Sequence, residues 1–221
     1  MNLNSDSLKI SKPKQARSKK TMENILDTAQ QMLIDSTFDK ANIQEIVKKA
    51  NSSVGSFYSL FKTKNNLLEC LLDRYQDWLI EIVQEYNKQD IPKDMISRAS
   101  LFIKEYIKVN QQESGMLRAR YIYNVTKLKS IPETRLIKNE LYQKEIERLF
   151  EPCMHEINHP NPKKALTFIL ILLDIFIGEK IIFEKVTNKN KATLNHQELH
   201  DECLRLFLNY LGITNKMEEK K

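Results

Sequence analysis

Two helix starts follow one another closely in the N-terminal third of the chain, and they limit what it can build. Asn42 heads Ile43-Gln44-Glu45, where its side chain can accept the third backbone N–H and Glu45 can reach back to the cap. Ser53 then heads Val54-Gly55-Ser56. Between them stands Asn51, where a left-handed backbone is needed; Asn tolerates that better than most residues. Helices this short are not stable alone and cannot form separate hairpins. They have to pack against a neighbour.

Helical periodicity supplies the neighbours. Ile25, Leu26, Ala29, Met32 and Leu33 repeat on one face, predicting a first helix from about Ser18 to Ile34. A polar connector, DSTFDKAN, follows, with Phe38 as its one buried aromatic candidate. Thr63 can cap a fourth, long helix carrying Leu67, Leu68, Leu71, Leu72, Tyr75, Trp78, Leu79, Ile82 and Tyr86. The expectation is a compact tri-helical head leading into a long connecting helix.

Only four glycines and six prolines occur in 221 residues, so strand and turn signals are few. Ile91-Pro92 opens a helix, with proline in its first turn. A break near Gly115 precedes a helix over Met116–Lys127. Ile131-Pro132 starts another that runs to about Phe150, before Pro152 disturbs it. Asn161-Pro162 starts the most apolar helix, to about Val186. Asn195 with Glu198 forms a second capping box, opening a last helix that ends at Gly212. The fold class is all-α, with about nine helices. The expected organisation is a basic flexible arm over residues 1–16, a compact tri-helical head over 17–64, and a helical remainder over 65–221.

The formal charge of +6 is unevenly placed. Lys9, Lys12, Lys14, Arg17, Lys19 and Lys20 fall together with no acidic residue among them. A local cationic arm attracts phosphate; a bland alternative is a solubilising terminus. Cys70, Cys153 and Cys203 are odd in number and far apart, which argues against a disulfide framework. The first residues lack the apolar core of a signal peptide. The apolar run from Leu166 to Phe183 is interrupted by Asp174, Glu179 and Lys180, so it does not suit a membrane span. A cytoplasmic protein is expected.

Two short helices joined by a tight turn make a helix-turn-helix, whose second helix enters the major groove. From about Thr21 to Leu68 the sequence resembles the TetR/AcrR family of regulators. The resemblance is carried most strongly by Gly55-Ser56-Phe57-Tyr58, then Phe61, Lys64 and Leu67. It implies a DNA-binding surface of Lys20, Thr21, Asn42, Ser53, Val54, Gly55, Ser56, Tyr58 and Lys64. Gly55 lets the helix approach DNA without a Cβ in the way. Ser56 offers a hydroxyl, and the resemblance places the Tyr58 phenol on a phosphate. Lys64 is expected to grip a phosphate together with the amides that start its helix. Asn51, Ser52 and Val54 depart from the family, which commonly has Gly, an apolar residue and a polar residue there. Val54 suits a thymine methyl better than a phosphate.

Elsewhere, Tyr106, Met116, Tyr121, Tyr123, Phe168, Asp174 and Phe176 are candidates for a small-molecule pocket, plain core being the alternative for most. Asp174 interrupts a helix that is apolar nearly all round, so burial and a partner are expected for it. The resemblance implies that the last two helices form a homodimer interface, with Leu199, Cys203, Leu206 and Tyr210 on the last. His155/His159 and His196/His200 stand at i, i+4 spacing, but no metal site is assigned to them. No cofactor is expected, and no Gly-rich phosphate loop or hydrolase motif occurs, so no enzyme activity is expected. The implied function is a homodimeric repressor, released from near-palindromic double-stranded DNA by a small molecule. An activator, a ligand-independent DNA binder, or a helical module or enzyme that has lost DNA affinity are the alternatives.

Overall fold

The computed structural model describes residues 16–127, 131–187 and 194–213. Nine α-helices and one short 3₁₀ helix account for nearly all of them, with no strand among the described residues. Apart from Ala16, the basic arm lies outside the described residues. None of the helices is long and apolar enough to cross a membrane.

The chain divides into two compact units. The first ends at Trp78 and also takes in Gly115–Asn139; the second holds Leu79–Ser114 and the chain from Glu140 onward.

The first unit begins with α1 (Ala16–Ile34), α2 (Ile43–Lys49) and α3 (Val54–Leu60), which pack pairwise on one another. Ile25, Leu26, Ala29, Met32 and Leu33 of α1 are buried, with Ile46 and Val47 of α2 and Phe57 and Leu60 of α3. Phe38 and Phe61, from the connectors, complete this core. Its sharp corners rest on local chemistry. Asn42 and Glu45 close both halves of the capping box. Asn51 takes φ 47°, the left-handed turn that reverses the chain between α2 and α3. Thr63 Oγ1 accepts the Asn66 amide (3.0 Å) at the start of α4 (Lys64–Lys88), a helix that continues past the unit boundary.

Arg74 of α4 donates to Asp27 (2.7 Å), Gln30 (2.6 Å) and Glu23 (3.2 Å), tying α4 along α1. Two further helices contribute to this unit, α6 (Ser114–Thr126) from Gly115 and α7 (Glu133–Phe150) as far as Asn139. Gly115 does not break the chain but lies inside α6, where a Cβ would come within 2.5 Å of the Leu33 and Ile34 backbone. Only glycine permits that approach. Lys138 bridges Asp73 (2.8 Å) and Asp77 (2.6 Å), which raise its pKa despite the opposing effect of burial.

The second unit packs α5 (Met95–Gln112), α8 (Pro162–Thr187) and α9 (His196–Tyr210) together, with the 3₁₀ helix Glu151–Glu156 against α5. α5 starts after Pro92 rather than at it. Asp94 is the cap, accepting the Ser97 amide at 2.8 Å, and Glu156 takes the Met95 amide. Ala99, Ile103 and Ile107 of α5 and Leu166, Ile169, Leu173 and Ile177 of α8 are buried in a core that includes Phe150 and Phe207, ring centroids 5.5 Å apart. Gly212 closes α9 at φ 65°, against the Asn158 carbonyl.

Candidate nucleic-acid interface

Helix α3 is two turns long and splits cleanly between two faces. Phe57 and Leu60, with Phe61 just beyond, are buried, and the Phe57 ring packs tilted against Phe61. Val54, Gly55, Tyr58 and Ser59 point the other way, with Tyr58 51% exposed and Val54 37%. A short helix that exposes small and hydroxyl-bearing side chains beside one phenol has the dimensions to enter a major groove. Ser59 completes this face. Sequence reasoning passed it over, although its i+4 spacing from Gly55 puts it there.

Not every candidate hydroxyl is free to read bases. Ser53 Oγ accepts the Ser56 amide (3.1 Å) and pairs with Ser56 Oγ (2.9 Å), so these two serines hold the start of α3 together. Asn42 Oδ1 is similarly occupied by the Glu45 amide at 3.0 Å, and its own N–H donates to the Glu45 carboxylate at 2.9 Å. Thr21 Oγ1 donates to the Arg17 carbonyl (3.0 Å) and is half-buried, whereas Lys20 is exposed. Arg17, Lys19, Lys40, Lys48, Lys49 and Lys62 add further exposed cations to this unit.

Lys64 corrects the sequence reading. Its Nζ donates to the carbonyls of Phe38 (2.6 Å), Ala41 (2.8 Å) and Asp39 (3.0 Å) and lies 4.7 Å over the Phe38 ring. All three ammonium donors are engaged within the protein. Burial pulls its pKa below the ordinary lysine range, with Asp39 and Glu45 working against that. Lys64 therefore clasps the α1–α2 connector, which ends as an array of outward carbonyls, rather than presenting a free ammonium to phosphate.

The candidate pocket residues fall in both units, and of those in the second, Tyr106 and Asp174 meet. Tyr106 lines an apolar cavity of about 60 Å³ in the second unit, with Leu79, Val83, Phe102, Val109 and Leu149. Its walls also hold Arg98, Glu105 and Asn110. Arg98 is buried, and its guanidinium donates to the carbonyls of Pro92 (2.7 Å) and Leu149. Met116 is fully buried in the other unit. Tyr121 is 50% exposed there, and Tyr123 donates to Glu69 (3.1 Å) beneath the Arg135 guanidinium. Asp174 is exposed, not buried, and accepts from the Tyr106 hydroxyl. Phe168 (51%) and Phe176 (41%) are exposed too. The reason is that α8, though apolar nearly all round, is covered by its own unit on one side only.

The interface candidates divide in the same way. Leu199 (2%) and Cys203 (1%) face inward, where burial pushes the Cys203 thiol up to about 11. Tyr210 is half-buried against Phe168 and His159, and Leu206 alone of the four is exposed. The uncovered apolar stripe lies instead on α8, through Phe168, Ile171 and Ile175. His200 is held by Ser100 (3.1 Å) and Asp201 (2.9 Å), while His196 is exposed.

Comparison with known proteins bears on this geometry. Residues 25–71 match the family profile for bacterial regulatory proteins, tetR family. The chain is 28% identical over 104 residues to the uncharacterized HTH-type transcriptional regulator YvkB of Bacillus subtilis, a match covering 44% of this chain and 54% of that one. It is 39% identical over 61 residues to a second such regulator of the same organism, YvdT, covering 28% and 30%. The matches thus span about half the length of one curated relative and under a third of the other.

Among solved structures, a TetR-family transcriptional regulator from Mesorhizobium loti superposes with a TM-score of 0.66 at 19% identity, over 88% of this chain and 98% of that one. The regulator FadR from Bacillus subtilis, in complex with stearoyl-CoA, gives a TM-score of 0.58 at 20% identity, over 85% and 98%. At these identities the structural matches speak for the fold.

Proposed function

The chain carries the helix-turn-helix of the tetR family of bacterial regulatory proteins, and on that premise we propose that it is a transcriptional repressor, acting as a homodimer and released from its operator by a small molecule. The observation that carries the DNA-binding part is the two-faced α3. Phe57, Leu60 and Phe61 are committed to the core, so the face left over, Val54, Gly55, Tyr58 and Ser59, is exposed, with the Tyr58 ring edge-on to Phe57. Gly55 leaves open space around its Cα, and a backbone can approach a groove edge there. Val54 would meet a thymine methyl and Tyr58 a phosphate.

A two-fold dimer would present two such helices to half-sites about 34–36 Å apart, one turn of duplex, making the operator near-palindromic. The exposed α8 stripe of Phe168, Ile171 and Ile175 supports a second copy as partner, because a run of large apolar side chains on one helix face favours burial. Release would follow if a ligand favours a dimer whose heads are wrongly spaced. The apolar cavity around Phe102, Tyr106 and Leu149 is the ligand site of this reading. At about 60 Å³ it must widen to take a molecule of ordinary ligand size. Its apolar lining favours a hydrophobic compound, and a long-chain acyl thioester, the class bound in the FadR complex, is one to test.

A gel shift against the DNA upstream of the protein's own coding sequence tests the DNA-binding reading. Tyr58→Ala and Gly55→Glu should each abolish the specific band while leaving the oligomeric state unchanged. Unaltered operator affinity in both variants would overturn it.

A further inference from the structure

A further cavity, of about 250 Å³, is lined by residues of the first unit alone. Its floor is apolar, from Leu33 and Phe38 of the α1–α2 segment, Leu68 of α4, and Ala119 and Ile122 of α6. At one wall stands Arg118. The residue is half-buried, and among the described residues its guanidinium makes one hydrogen bond, from Nη1 to Ser36 Oγ at 3.0 Å. The other four N–H donors have no partner among the described residues. These N–H groups are not sealed from solvent, so they stay open to an anion that enters beside the apolar lining. The acid at the same cavity, Asp39, lies in the field of the Lys64 ammonium. Lys127 adds a second positive charge to the rim.

We propose that this cavity binds a small amphiphilic carboxylate, with its carboxyl group forked onto Arg118 and its apolar body against Leu33, Phe38, Leu68 and Ile122. A planar guanidinium matches a carboxylate bidentately, and the recess holds a body about the size of a fused pair of aromatic rings. The position gives binding a consequence. Ser36, which Arg118 holds, sits at φ 58° at the end of α1, and the connector that follows is the one clasped by Lys64. A carboxylate forked onto the donors that Ser36 does not use would share this guanidinium with the α1–α2 connector, and so couple the site to the joint from which α2 and α3 are hung.

The test is calorimetric titration of the intact protein with 2-naphthoate, in the absence of DNA, so that its outcome is independent of operator reading. Saturable binding at one site per chain is expected. Arg118→Gln should weaken it by roughly tenfold or more, the loss expected for a charge-assisted pair, and Arg118→Lys by less. The uncharged analogue 2-naphthylmethanol should bind as weakly to the wild type as naphthoate does to Arg118→Gln. Ala119→Trp, which fills this recess, should abolish binding, whereas Leu101→Trp, which fills the cavity of the second unit, should leave it unchanged. The proposal is overturned if naphthoate does not bind, if Arg118→Gln binds it as well as the wild type, or if Leu101→Trp removes the site.

Discussion

An ammonium has three N–H donors, and at Lys64 the ends of Phe38, Asp39 and Ala41 take all of them. A lysine at the start of a helix beside a groove-reading motif invites the opposite reading, that its charge faces phosphate. The two roles separate experimentally. Lys64→Met should lower stability by roughly 1.5–3 kcal/mol, the range for hydrogen bonds to a charged group, seen as an earlier urea midpoint. It should leave the slope of log K against log salt for DNA binding unchanged, because no counterion-releasing contact is removed. A slope shallower by about one unit would restore the phosphate role. Val54 and Tyr58 differ from Lys64 because their side chains reach solvent, so their substitution should act on DNA affinity and not on folding.

The helices show how far local chemistry reaches. Gly115 and Gly178 both stand inside helices, yet α6 presses Gly115 onto the α1 backbone while nothing lies within 4 Å of a Cβ built on Gly178. Gly115→Ala should therefore cost about 1–3 kcal/mol through overpacking, and Gly178→Ala should stabilise by about 0.5–1 kcal/mol through reduced backbone entropy. Thermal melts of the two variants should move in opposite directions. The Asp94 cap carries a pH dependence. The hydrogen bond from the Ser97 amide holds its carboxyl below the usual aspartate range. A depressed folded-state pKa means that the unfolded chain binds the proton first, so the contribution is complete above about pH 4 and is lost as pH falls below it. Asp94→Asn keeps a capping oxygen but cannot titrate. Denaturant melts at pH 7 and pH 3 should differ less for that variant than for the wild type.

For the whole molecule, the question is which apolar surface is left over. Ile175 is 62% exposed on α8, and Leu199 on α9 is 2% exposed. If a second copy covers the α8 stripe, Ile175→Glu should yield a folded monomer by sedimentation, with helical content intact. Leu199→Glu should instead unfold the protein, since it buries an unpaired charge. A Ile175→Glu chain that stays dimeric would place the interface elsewhere. Loss of the dimer should also cost most of the specific DNA affinity, because two half-site contacts are then no longer linked.

What could be read from the residues alone is what is decided within a few residues. Asn42 with Glu45, Ser53, Thr63 and Asn195 with Glu198 cap the helices they were expected to cap, and Asn51 turns left-handed, because caps and turns are closed by neighbours in sequence. The inward face of α1 followed from periodicity, and Ile25, Leu26, Ala29, Met32 and Leu33 are all buried. The fate of Lys64, Asp174, Leu199 and Cys203 did not, and neither did the solvent side of Phe168 and Phe176. Those depend on which distant helix arrives and on which flank. A helix such as α8, apolar on nearly every side, carries no mark of the face its own fold will leave bare, and only the packing of α5 and α9 against it makes that choice.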